Sequence, residues 1–116
     1  MNDPAPPYFT AMTNVRDLQP TALTRLGNDL MVSSPDSNWR ALGGHLGFSI
    51  GDLDVIGFLL QPGFEMLRRW MTRQGSTVNV LRSSLIAIGR HDLVEVLDDI
   101  LWSETRSFYI GRNFVL

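Results

Sequence analysis

Apolar residues recur along this chain at intervals of three and four, bracketed by capping residues and breakers, a pattern that predicts amphipathic helices. "QPTALTRLGNDLMV" puts Leu23, Leu26 and Leu30 on one side, with Pro20 near the first turn, where its missing N–H does no harm. "PDSNWRALGGHLG" is a short second helix carrying Trp39, Leu42 and Leu46, weakened by Gly43 and Gly44. In "SIGDLDVIGFLLQ", Ser49 is the cap, Asp52 stands three residues on, and Leu53, Ile56 and Leu60 point inward. "PGFEMLRRWMTRQG" starts at Pro62, buries Phe64, Leu67, Trp70 and Met71, and stops at Gly75. "STVNVLRSSLIAIG" is capped by Ser76 or Thr77, carries the stripe Val78, Leu81, Leu85 and Ile88, and ends at Gly89. "RHDLVEVLDDILW" makes the sixth helix, and no strand-like alternation persists anywhere. Short connections between such helices demand neighbouring, mostly antiparallel packing, so the expected fold is an all-α, six-helix antiparallel bundle.

The polar faces of three of these helices are unusual. At ~100° per residue, the sixth helix gathers Leu93, Val94, Val96, Leu97, Ile100 and Leu101 on one side. Glu95, Asp98 and Asp99 lie on the other, with Trp102 among them; a bend before Ser103 that tucks the indole against "SFYIGRNFVL" is the expected arrangement, with a surface anchor for a partner as its alternative. On the fourth helix, Glu65, Arg69 and Arg73 fall nearly opposite the apolar stripe, with Arg68 on its flank. On the third, Val55 and Phe58 lie well off the inward face, beside Asp54. A large apolar side chain with charge at its rim suits an interface anchor.

Composition narrows the chemistry. The 116 residues suffice for one domain that buries roughly two-thirds of its unfolded surface. A net charge of -2 gives no global attraction to nucleic acid or anionic lipid. With no cysteine there is no disulfide, no thiolate catalysis and a poor zinc set, which fits a reducing, cytoplasmic setting. All ten basic residues are arginine, which excludes lysine chemistry and favours forked contacts with carboxylates. No apolar run approaches the ~20 residues of a membrane span, so no direct membrane insertion is expected. "MNDPAPPYFTAMTN" reads as a flexible lead-in, with packing of Tyr8 and Phe9 on the domain as its alternative.

Catalysis finds no footing. His45 and His91 have no serine and carboxylate placed around them, and adjacent carboxylates such as Asp98 and Asp99 diverge by ~100° and stay solvated. Two histidines without cysteine are a poor transition-metal set, and "LGGHLGFSIG" lacks the ending of a phosphate loop. No enzyme activity, metal or cofactor is therefore expected. Arg68, Arg69 and Arg73 form one local basic stripe without a second cluster to follow a phosphate backbone, which speaks against nucleic acid as a partner.

The ordered pieces "NWRALGGHLGFS", "MLRRW", "GSTVNVL" and "IGRHDLVEVL" resemble a death domain. Within that family the nearest likeness is to the myeloid differentiation primary response adaptors of Toll and interleukin-1 receptor signalling. It runs without a gap from Trp39 to Leu97 and includes Pro62, Trp70, Gly75, Gly89, Arg90 and Asp92, and "SFYI" is similar to their segment beyond the domain. Gly43-Gly44 departs from the family's helix-forming residues, and the receptor-binding domain expected downstream is not in this sequence.

The resemblance divides the chain into a lead-in (1–18), a death domain (19–102) and a C-terminal extension (103–116). It implies a non-enzymatic adaptor domain that builds a helical oligomer through three pairs of unlike surfaces. Its partners would be other death domains: its own copies and those of Toll-pathway kinases or their bridging adaptor. The fourth helix and following loop, with Arg68, Arg69 and Arg73, would meet a neighbour's corner at Arg90, His91 and Asp92. The third helix, with Asp52, Asp54 and Phe58, would meet a neighbour's first loop around Ser34, Pro35 and Asp36. Arg40 would serve the remaining pair, and Asp98 belongs to the acidic face. A death domain of an apoptotic adaptor or receptor tail, or a DNA-binding helical bundle, are the alternatives.

Overall fold

The computed structural model describes residues 13–31 and 36–115, and of residues 104–115 the backbone alone. Six helices follow a short 3-10 turn, Val15–Asp17: α1 (Pro20–Asp29), α2 (Trp39–His45), α3 (Ile50–Gly57), α4 (Pro62–Trp70), α5 (Val78–Ala87) and α6 (His91–Val115). The described residues form no strand; their one β-type feature is an isolated bridge between Asn14 and Thr77.

Local chemistry sets most of the boundaries. Pro20 and Pro62 open α1 and α4. The Asn38 side chain accepts from the Arg40 and Ala41 amides, Ser49 from the Asp52 amide and Thr77 from the Val80 amide. Ser76 is not a cap. Its buried hydroxyl donates towards the Met71 and Arg73 carbonyls and so fastens the turn after α4. Gly89, at φ 76°, ends α5 in the left-handed conformation that its sequence position predicts.

The core joins the predicted stripes. Leu23, Leu26 and Leu30 meet Trp39, Leu42, Leu53, Ile56, Leu67, Trp70, Val78, Leu81, Leu85, Leu93 and Leu97, all buried. Helices α1 and α4 cross with backbone against backbone at one point. A Cβ on Gly63 would lie 2.5 Å from the Gly27 carbonyl oxygen, and one on Gly27 would lie 2.8 Å from the Phe64 backbone. Only glycines allow α1 and α4 to approach so closely. Gly43 is used similarly, since its Cβ would meet Leu53 Cδ2 at 2.6 Å.

Four expectations change. The chain before α1 is packed rather than loose from residue 13 onward. Val15 is fully buried, the Val15 amide donates to the Ser76 carbonyl, and the Val78 amide donates to the Thr13 carbonyl. Residues 1–12, with Tyr8 and Phe9, lie outside the described residues. Leu60 does not face the core: α3 stops at Gly57, the helical register lapses, and Leu60 is 95% exposed. The C-terminal extension does not begin with a bend before Ser103, because α6 continues as one helix to Val115. Trp102 consequently remains 66% exposed on its flank instead of turning inward.

Candidate interaction surface

The amphipathic stripe of α4 turns Met66, Leu67 and Trp70 into the core, which leaves Arg68 and Arg69 on the outer surface. Glu65 sits between them: its Oε1 accepts from Arg68 Nε at 3.0 Å and lies 3.7 Å from Arg69 Nη1. Exposed pairs of this kind contribute only about 0–1 kcal/mol, so a partner's carboxylate can replace either one. Arg73 follows in the turn after α4, with its guanidinium 3.9 Å from the centre of the Phe48 ring. A shallow cavity of about 230 Å³ lies beside these groups, between Phe48, Asp52, Val55, Ile56, Arg69 and Arg73. Arg69 makes only a long contact to its own chain's carboxylate and Arg73 rests on a ring, so the basic face persists on the folded domain.

Acidic groups gather along α6. His91, Asp92, Glu95, Asp98 and Asp99 are all exposed, opposite the buried Leu93, Val94, Leu97 and Ile100. Asp98 is already engaged: Arg82 of α5 donates from Nε and Nη2 to its two oxygens at 3.0 and 3.2 Å, and this fork raises the Arg82 pKa above its usual value. Asp98 thus joins α5 to α6 as well as contributing to the acidic face.

The expected role of Arg90 as a surface contact is corrected. Its side chain is buried, and it donates to the carbonyls of Ser37 at 2.9 Å and Asp29 at 3.1 Å and to both oxygens of Asp92. It is a brace tying the end of α1 and the approach to α2 to the start of α6. Asp92 keeps its outer edge in solvent, and its carboxyl pKa lies below the usual range chiefly because of the hydrogen bonds from Arg90.

A second group lies around α3. Phe58 is 92% exposed at the end of the helix, with Ile50, Val55 and Leu60 also exposed. Leu60, expected in the core, therefore belongs to this patch. Arg40 and Asp54, expected on separate contact surfaces, are partners in the same molecule: Arg40 Nη2 donates to Asp54 Oδ1 at 2.9 Å, with the guanidinium 5.7 Å from the Trp39 ring centre. Asp52 is exposed near the arginines of α4, and Asp36 is exposed before α2. Ser34 and Pro35 lie outside the described residues.

Among the described residues, no three side chains of the ligating types come together as a metal site, and no helix is long and apolar enough to cross a membrane. The surface can do one thing well: present unlike, charge-bearing patches on a rigid core. No solved structure matches this chain. A protein named death domain-containing membrane protein NRADD, from mouse, is 37% identical over 70 residues, covering 59% of this chain and 31% of the relative. Its rat counterpart is 36% identical over the same share of each chain. The chain thus spans about a third of the length of the curated relatives it matches. A family model described as the death domain matches residues 20–101, the stretch from the first turn of α1 to the last core turn of α6. The chain belongs to the death domain family, whose members are non-enzymatic modules of protein–protein interaction.

Proposed function

We propose that this domain is a cytoplasmic signalling adaptor that grows a helical oligomer with other death domains and thereby recruits Toll-pathway kinases. The observation that carries the oligomer is the pairing of unlike surfaces: exposed arginines on α4 and in the turn after it, and exposed carboxylates at the start of α6. Such a contact is heterologous, so it does not close after two subunits and continues until a capping partner stops it. Arg68, Arg69 and Arg73 reach a neighbour's His91 and Asp92. Phe58 and Asp52 of α3 reach the region of Asp36, and Arg40, with Asp54, forms the remaining pair. The Toll assignment draws on the likeness of Trp39 to Leu97 to the adaptors of that pathway.

The test is light scattering of the chain alone and with a Toll-kinase death domain, across salt concentrations. Mass should rise steeply with concentration at low salt and fall as salt screens the charges. A monomer at high concentration that ignores both salt and the kinase domain overturns the reading. The relatives' description as membrane proteins supports a second setting, in which the same contacts serve a chain at a membrane. Capture of death domains other than those of the Toll pathway would select it.

A further inference from the structure

We propose that the outer face of α6, from Asp92 down to Trp102, is a docking strip for the α4 arginines of a second copy, with Trp102 stacked against one guanidinium. The inference rests on the proposed oligomer and extends its α4–α6 contact by about 15 Å along the helix.

Three observations converge. First, α6 is one uninterrupted helix, so Asp92, Asp98, Asp99 and Trp102 all lie within about 60° of Glu95 on a single face. Every one of them is exposed. Second, Trp102 is 66% exposed on this same face, one turn after Asp98 and Asp99, whereas Trp39 and Trp70 are buried. Because the helix runs on past it, the backbone that follows is carried along the axis. An indole one turn from two carboxylates suits a guanidinium: the ring face attracts the cation while the acids take its N–H groups. Third, the same chain owns the matching surface. Arg68, Arg69 and Arg73 are exposed, and Arg73 already rests over the Phe48 ring, so it has less side-chain freedom left to lose when a carboxylate meets it. The second copy's arginines thus continue a contact that begins at Asp92.

The test uses the full chain. With Trp39 and Trp70 buried, collisional quenching by acrylamide reports mainly on Trp102. Quenching should fall as the protein is concentrated at low salt and recover at high salt. Trp102→Ala should move the onset of assembly to at least about five-fold higher concentration, with helicity unchanged. Arg69→Glu spoils one surface, and the double change Asp99→Arg with Trp102→Ala spoils the other. Each variant alone should assemble poorly, and the two mixed should recover assembly in part, through the one α4–α6 contact that is intact between them. Assembly that proceeds with quenching unchanged and Trp102→Ala silent overturns the α6 strip and leaves the oligomer standing. Absence of assembly in the unaltered chain overturns both.

Discussion

At the scale of single residues, Arg90 separates sequence position from structural role. Its spacing from Asp92 and its place at a helix start are compatible with an exposed pair. What buries it is the arrival of two main-chain carbonyls, Asp29 and Ser37, from more than fifty residues earlier, and no local pattern encodes that meeting. Replacing Arg90 by methionine leaves both carbonyls and Asp92 without their donor. The expected loss is about 2–3 kcal/mol in urea unfolding. An unchanged midpoint would show that water substitutes fully. Asp92 supplies the pH dependence. Its folded pKa is lowered, so its contribution is complete above the ordinary carboxylate range and disappears as pH falls through the folded value. With 64% of its side chain exposed, solvent screening keeps that contribution below about 1 kcal/mol. Comparing the chain with Asp92→Asn from neutral to acidic pH should show the gap in stability closing at the acid end.

At the scale of elements, capping chemistry and apolar periodicity carry most of the information. Ser49, Thr77, Pro20, Pro62 and Gly89 mark boundaries where a short-range hydrogen bond or a backbone angle decides the outcome. Leu60 defeats the pattern because the helical period does not extend beyond the end of α3, and past that point nothing turns the side chain inward. Gly27 and Gly63 give no signal, since a glycine in a helical pattern looks like a weakness until its partner helix is in place. Gly63→Ala should destabilise by about 1–3 kcal/mol through backbone overlap with Gly27 and lower the melting temperature accordingly. Gly44→Ala serves as the control: no atom lies within 4 Å of its added methyl, so it should be neutral or stabilising. Phe58→Ser should leave melting nearly unchanged, because so little of the ring is buried, while weakening assembly.

At the scale of the whole molecule, the fold is legible in the sequence and the surface only partly so. Apolar spacing identifies which side chains leave water, but which charges pair within one chain depends on how helices sit beside one another. Arg40 with Asp54 and Arg82 with Asp98 are such pairs, separated by 14 and 16 residues. The α4 arginines are readable because Arg68 and Arg69 lie on one helix, where spacing alone fixes their direction, and Arg73 follows directly. Arg69→Glu or Arg73→Glu should therefore abolish growth at low salt, with circular dichroism and melting nearly unaltered. Unfolding of either variant would show that the side chain supports its own domain.

The glycine contact between α1 and α4 has a mechanical corollary. With backbone against backbone at their crossing, those two helices form a stiff spine, and in the proposed oligomer a tug from a neighbour on the arginines would pass straight across the subunit. The third helix, which buries only Leu53 and Ile56 and is tied to α2 by the exposed Arg40–Asp54 pair, is the soft member. Its amides should exchange with deuterium before those of the spine, and copies stacked on its Phe58 edge should be the first to slip when a filament is strained.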